Sequence, residues 1–363
     1  MTRPTAAIID IQALRENFAL AQRLAPNANS MPMVKANAYG HGIVRVAQAL
    51  EDMAPAYGVA CIEEALELRE ANIKQPLLLL EGPHSADEVE IADQQSLWLM
   101  LENHTQLKAV LNAKLQNPVN VWIKLDTGMH RLGFQPNEAQ GVFQQLSDSP
   151  NVAASMVLAT HFSCADNLDN NFTHQQLASF DAALKNLNPS NLKTSLANSA
   201  AILDWPEVKD DWQRPGYMLY GNTPFAQSQK NADPLKPVMH FQSAVISTRT
   251  IAAGESVGYT ANWTANRPSI IATVAVGYGD GYPRHAENGT PVLIGGIKCP
   301  LVGRVSMDMI SVDITDLPKP IGIGEPVTLW GLGLGVNEVA RHCRTIGYEL
   351  LTRMPARVPR IYT

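Results

Sequence analysis

The chain lacks what a membrane protein, a secreted disulfide scaffold or a zinc protein would need. Its longest apolar runs, such as residues 76–80, fall far below the roughly 20 residues of a bilayer-spanning helix. Four cysteines, at positions 61, 164, 299 and 343, form no CxxC pair and no compact disulfide framework, and read as separate thiols in a reducing compartment. Nine histidines are dispersed, without an HExxH motif or a His/Cys cluster, so no metal site is expected. Basic residues are scattered, and a formal charge of −6 argues against a nucleic-acid partner. Residues 1–18 carry an acid at Asp10 and no apolar core followed by a cleavage site, so no signal peptide is expected and the implied location is cytoplasmic.

What is present is length and pattern. A chain of 363 residues fits two domains. Short apolar runs at 31–36, 56–61, 76–81, 96–101, 119–125, 154–160, 192–197 and 216–221 read as strands. Helical patterns at 44–53, 62–70, 85–93, 105–115, 137–146 and 171–186 fall between them. This alternation predicts a TIM barrel; a doubly wound sheet would leave the last repeats unexplained. From about residue 233 the character changes. Val- and Ile-rich segments such as HFQSAVIST, SIIATVAVG, MISVDI and PVTLW, separated by Gly, Pro and Asn turns, predict a mostly-β domain with one late helix over 336–343. The expected class is therefore α/β, an N-terminal (β/α)8 TIM barrel with a C-terminal mostly-β domain. Residues 1–12 are read as a strand joining the β domain, 13–232 as the barrel and 233–363 as the β domain.

The barrel strand ends, where active sites of this fold form, hold the unusual residues. Lys35 follows the first strand in MVKANAYGHG (33–42), where Gly40 and Gly42 permit tight backbone geometry. A lysine that is desolvated or near another cation gives up its proton more readily and can form a Schiff base; an ordinary surface lysine at a strand end is the plain alternative. Lys124 lies inside the apolar VWIKL, where an ammonium is costly unless paired or modified. A core lysine held by a salt bridge fits that position too. Asp126, His130 and Arg131 follow it. His161 ends the sixth strand, Asn198 and Ser199 end the seventh, and Arg214 precedes the eighth. Each has an ordinary reading as a core histidine, a helix cap or a rim arginine. Ser199, the Pro215–Gly216–Tyr217 turn and Tyr39 together could hold a phosphate. GLGLG (331–335) lacks the strand–GxGxxG–helix context of a dinucleotide loop. GYGDGYPR (277–284) reads as a loop presenting Tyr278, Asp280, Tyr282 and Arg284 at a surface or gate.

With these residues placed, the sequence resembles the bacterial alanine racemase family of fold-type III pyridoxal-phosphate enzymes over essentially its whole length. The matching stretches are VKANAYGHG, KLDTGMHRLGF, THF, NSA, RPGYMLYG, GYGDGYPR, GRVSMDM and GYELL, in that order. The resemblance implies that Lys35 binds pyridoxal 5'-phosphate as an internal aldimine and that Tyr259 is the second catalytic base, entering from the partner of a homodimer with shared active sites. It further implies that Arg131 contacts the cofactor and the substrate carboxylate, with Met307 and Asp308 coming from the partner to line the substrate pocket. Arg214 would donate to the pyridine nitrogen with His161 beside it, and Asn198 would lie in the same cofactor site. Tyr39, Ser199, Gly216, Tyr217 and Tyr348 would form the phosphate cradle, and Tyr278 would support the pocket. Lys124 aligns with a lysine often carbamylated in the family; pairing with a carboxylate or a chloride beside Arg131 would serve the same need. The implied substrates are L-alanine and D-alanine, for peptidoglycan supply or for L-alanine catabolism. Two departures are mild: Tyr217 stands where an aliphatic residue is usual, and Gly258 and Thr260 vary around Tyr259. A decarboxylase of related architecture would need a cysteine-based C-terminal motif and a glycine-rich phosphate loop, and neither is present. A lone-barrel pyridoxal-phosphate-binding protein would lack residues 236–363.

Overall fold

Strand β1 (Ala6–Ile9) opens the chain, and a helix over Ile11–Leu24 follows it directly. Asp10 starts that helix by accepting a hydrogen bond from the Ala13 N–H at 2.8 Å. The helix buries Leu14, Phe18 and Ala21, a spacing that places them on one face. The computed structural model describes residues 3–187 and 192–363. Residues 1–2 of the N-terminal segment and 188–191 of the stretch assigned to the barrel lie outside the described residues.

The barrel strands are β2 (Asn29–Ser30), β3 (Tyr57–Val59), β4 (Leu77–Leu79), β5 (Leu97–Leu101), β6 (Asn120–Lys124), β7 (Met156–Ala159), β8 (Leu192–Ser195) and β9 (Trp212–Gln213). Strands β3 to β8 form one parallel sheet, and β2 pairs with β9 in parallel. A bridge from Met33 to Gly58 joins β2 to β3. Backbone bonds from the Asp211 and Arg214 N–H groups to the Thr194 and Ala197 carbonyls join β9 to β8, closing the barrel. Strands such as LLL (77–79) are apolar throughout because both faces are buried, one by the barrel interior and one by the outer helices.

The eighth strand differs from the sequence expectation. It is Trp212–Gln213, while Tyr217–Tyr220, inside the run expected as a strand, is a 3-10 turn. All of its side chains are buried, so the apolar run carried no periodicity that could tell strand from turn. Arg214 therefore follows its strand and reaches the barrel mouth. Likewise the first strand ends before Lys35, which starts a tight turn. The helices over Ile11–Leu24 and Gly347–Thr352 were not anticipated; the one over Ser199–Asp204 entered only through the ordinary reading of Ser199 as a cap, and the late helix over Val336–His342 was expected.

Beyond the barrel run β10 (Met239–Ile251), the short hairpin β11 (Ser256–Val257) and β12 (Trp263–Thr264), then β13 (Ser269–Val274), β14 (Pro291–Ile294), β15 (Ile297–Pro300), β16 (Ile310–Asp313), β17 (Pro326–Trp330) and β18 (Arg360–Tyr362). The sheet order is β15-β14-β17-β10-β1-β18, with β13 joined to β10 and β16. Strand β1 thus lies between β10 and the final strand, so the first and last strands run side by side. No helix among the described residues is long and apolar enough to cross a membrane.

Candidate active site

Lys35 begins an unusual turn. Ala36, Asn37, Ala38 and Tyr39 all have φ between 51° and 54°, a run of left-handed backbone without a glycine. Such geometry costs about 1–2 kcal/mol per ordinary residue, so surrounding contacts must impose it. The Ala38 N–H donates to the Val34 carbonyl at 2.7 Å. Glu64, in the first turn of the helix over Ile62–Glu70, accepts from the Ala36 N–H at 2.6 Å and from the Ala60 N–H at 2.8 Å. Asn37 Oδ1 accepts from the Ile43 N–H at 2.8 Å and so caps the next helix. Buried His41, its pKa pushed down to about 4 by desolvation, is a neutral ring whose Nδ1 lies within 3.0 Å of the Ala38 and Tyr39 carbonyls. Burial, and then the Arg131 guanidinium, lower the pKa of the Lys35 amine from the usual lysine range.

Around this lysine lies a cleft of about 770 Å³ at the C-terminal ends of the barrel strands. Arg214 is buried on one side. Its guanidinium donates to the Ser195 hydroxyl, to the Thr160 carbonyl at 2.6 Å and to the Leu196 carbonyl at 3.2 Å. Desolvation lowers its pKa to about 10, so it remains a cation at neutral pH. His161 Nδ1 lies 3.4 Å from Arg214 Nη2. Burial, and then Arg214, push the His161 pKa well below the ordinary histidine value, making this imidazole a neutral acceptor. Lys124 Nζ pairs with Glu102 at 2.8 Å, and the two side chains are 11% and 1% exposed. Glu102 is thus a carboxylate partner for the lysine that the sequence reading left without a named one. Burial shifts both toward neutrality, lowering the Lys124 pKa and raising that of Glu102.

The opposite wall is polar backbone and phenols. Asn198 caps the helix over Ser199–Asp204 by accepting from the Ala201 N–H at 3.1 Å, so the cap is Asn198 and not Ser199. Ser199 Oγ instead accepts from the Gly216 and Met218 N–H groups at 3.0 and 3.2 Å. A β-carbon at 216 would stand 2.7 Å from the Tyr39 hydroxyl, so any other residue there must displace that phenol. Tyr217 stacks on Tyr348 with ring centroids 3.7 Å apart, and Tyr39 stacks on Tyr220 at 4.8 Å. Desolvation raises the phenol pKa of Tyr39 to about 12, and those of Tyr217 and Tyr348 also lie above the ordinary value, so all three are neutral donors. The cleft thus offers an amine at Lys35 and a buried cation at Arg214, with phenol and hydroxyl groups on the facing wall, a set that suits a small ligand carrying a carbonyl carbon and an anionic group.

The structure therefore gathers Lys35, Tyr39, Lys124, Arg131, His161, Asn198, Ser199, Arg214, Gly216, Tyr217 and Tyr348 around one cleft. Tyr259, Tyr278, Met307 and Asp308 do not line it. Tyr259 sits at the tip of the β11–β12 hairpin, 68% exposed, and Met307 is 53% exposed. The Tyr278 N–H donates to the Ser306 carbonyl and the Gly279 N–H to the Met307 carbonyl, while Thr260 Oγ1 accepts from Arg304 at 2.8 Å. These loops form one outward-facing patch of the β domain. Buried Asp280 supports it by pairing with Arg3 and Arg357, and Arg357 also holds Asp308 at 2.8 Å. Glu64, Glu102, Thr160 and Ser195 escaped the sequence reading. Glu102 had a signal, a carboxylate placed immediately after the apolar run LWLML.

A barrel whose mouth gathers a buried arginine and a desolvated lysine beside the Ser199–Gly216 turn, followed by a β domain, places the chain among two-domain barrel proteins with a lysine-centred cleft. The family comparisons narrow this. Residues 9–224 match the alanine racemase N-terminal domain and residues 238–362 the alanine racemase C-terminal domain. The chain belongs to the alanine racemase family. It is 49% identical to the catabolic alanine racemase of Pseudomonas putida over 99% of both chains. It superposes on the biosynthetic alanine racemase of Pseudomonas aeruginosa with a TM-score of 0.95 at 50% identity, covering 100% of both chains. It also resembles the alanine racemase of Bartonella henselae, solved with covalently bound pyridoxal phosphate, with a TM-score of 0.89 at 32% identity over 99% of both chains.

Proposed function

We propose that this chain is a pyridoxal-phosphate-dependent alanine racemase interconverting L-alanine and D-alanine, with Lys35 as the cofactor lysine. The observation that carries the reading is the meeting of a desolvated lysine, Arg214 and the Ser199–Gly216 cradle in one cleft of a chain from this family. Lys35 would hold the cofactor's carbonyl carbon, Arg214 its ring nitrogen, and Tyr39, Ser199, Gly216, Tyr217 and Tyr348 its phosphate, with Asn198 and His161 bracing the neighbouring backbone and guanidinium. Pyridoxal phosphate, when bound, supplies the electron sink that makes an amino acid's α-proton acidic.

The chain's own groups then handle that proton. Burial and Arg131 lower the Lys35 pKa, so its amine holds its proton weakly and can take or return one at the substrate Cα on one face. Arg214 stays protonated at neutral pH and disfavours a second cation on the ring nitrogen, which suits a limited proton transfer. Arg131, at the cleft edge, would bind the substrate carboxylate. Lys124, paired with Glu102 or carbamylated, would set the electrostatics beneath Arg131.

The second base must come from elsewhere, because Tyr259 is absent from the cleft of its own chain. We assign it to the opposite face of the substrate in a head-to-tail homodimer, where the patch bearing Tyr259, Tyr278, Met307 and Asp308 would cover the partner's barrel mouth. The exposure of Tyr259 and Met307 supports this, since large apolar groups grouped on one face favour burial at an interface.

Borohydride reduction and peptide mapping should label Lys35; a label elsewhere, or no retained pyridoxal, refutes the cofactor assignment. Racemisation measured on a panel of L-amino acids should be fastest for alanine, with serine a slower substrate because a small pocket excludes one hydroxyl poorly. Mixed dimers of Lys35→Ala and Tyr259→Phe chains should recover part of the activity that each variant lacks. Confirmed mixed dimers without activity would refute the shared site.

A further inference from the structure

The left-handed turn behind Lys35 is held from outside the barrel as well as from within. Arg360, on the final strand β18, donates from Nε to the Gly40 carbonyl at 2.6 Å and from Nη2 to the Met354 carbonyl at 2.9 Å. The Tyr362 hydroxyl donates to the His41 carbonyl at 3.0 Å. Arg45 lies over the Tyr362 ring, 5.0 Å from its centroid, and packs against that ring. The fit is close enough to exclude side chains. A β-carbon at Gly42 would collide with the Tyr362 hydroxyl, and one at Gly40 with the Leu351 carbonyl. Both glycines are also left-handed, with φ of 83° and 99°. The turn is thus bounded on one side by Glu64 and on the other by the last strand of the β domain.

We propose that Arg360 and Tyr362 are positioning residues for Lys35: the terminal strand holds the strained turn in the geometry that presents the lysine to the cofactor. The inference rests on the assignment of Lys35 as the cofactor lysine. Strained backbone persists only where its surroundings over-determine it, and the inner contacts leave the Gly40 and His41 carbonyls to be satisfied by β18. The arrangement also explains why the first and last strands lie side by side: pairing β18 to β1 carries its side chains onto the turn.

The test uses the full-length protein in cofactor-free and loaded forms, with Tyr362→Phe and Arg360→Gln compared with wild type. Tyr362→Phe removes one hydroxyl and keeps the ring under Arg45, so folding is retained. In the cofactor-free protein, amide exchange of residues 36–43 should accelerate by roughly fivefold for each lost hydrogen bond. Covalent capture of pyridoxal phosphate, followed by the absorbance of the linked cofactor, should slow by a similar factor. In the loaded enzyme kcat should fall while KM for alanine stays near wild type. Arg360→Lys, which keeps a donor, should recover part of each effect. Overturning results are wild-type exchange and capture rates in Tyr362→Phe and Arg360→Gln, or a lowered Tm with those rates unchanged. If wild type itself fails to link pyridoxal phosphate through Lys35, the cofactor assignment fails instead, and the two failures are distinguishable.

Discussion

Replacing Glu102 by glutamine should destabilise the protein substantially. Its carboxylate and the Lys124 ammonium are 2.8 Å apart, with side chains 1% and 11% exposed, and Arg131 and Arg214 both add positive charge around Lys124. Glutamine preserves shape, and the Glu102 backbone N–H keeps its bond to Gln106 Oε1 at 2.8 Å. What disappears is the negative charge paired directly with a buried cation among guanidiniums. Removing one partner of such a pair costs about 3–5 kcal/mol, whereas replacing both with apolar groups is often neutral. Glu102→Gln and Lys124→Met should therefore each destabilise, and Glu102→Leu/Lys124→Met should recover most of the loss. Urea unfolding of the cofactor-free variants, run as a double-mutant cycle, measures the coupling directly. A carbamate on Lys124 makes the opposite prediction: it would place a second anion against Glu102, and removing the Glu102 charge would then be neutral or stabilising. A change within about 0.5 kcal/mol of wild type, or a gain, refutes the ion-pair reasoning.

Arg131→Ala should raise the pKa of Lys35, because the guanidinium is the second cause of its depression after burial; the pH midpoint of Lys35 acylation in cofactor-free protein reads this, and an unmoved midpoint counts against it. Gly216→Ala should crowd the Tyr39 hydroxyl, costing about 1–3 kcal/mol by overpacking and weakening pyridoxal-phosphate retention measured by dialysis. Unchanged retention would remove Gly216 from the cradle. Asp280→Asn leaves Arg3 and Arg357 without their shared anion, at a cost of about 1.5–3 kcal/mol. Because Asp280 lies beneath Tyr278 and Met307 in the patch proposed to cover a second copy, sedimentation should also show weaker self-association, and unaltered association would separate this network from the proposed interface.

The sequence conveyed most where chemistry and periodicity agree. Helix 62–70 and the strands near 77–79 and 97–101 follow from apolar spacing and breaker residues, and the strand-end residues Lys35, His161 and Arg214 stood out because polar groups at such positions need a reason. The run GYMLYG misled because a wholly buried turn and a wholly buried strand present the same apolar face to the reader. The Lys35 turn was illegible for a deeper reason. Ala-Asn-Ala-Tyr has no intrinsic preference for four consecutive positive φ values, so nothing local announces them. The geometry is imposed by groups far away in sequence: Glu64 on a barrel helix, and Arg360 and Tyr362, which lie 320 and 321 positions beyond the carbonyls they hold. The same separation explains Tyr259. Its residue type and neighbours could be recognised along the chain, but its distance from Lys35 in the folded chain could not. A conformation that needs distant partners is visible only once the chain has folded, and here the last strand reaches the turn that follows the lysine the proposed chemistry requires.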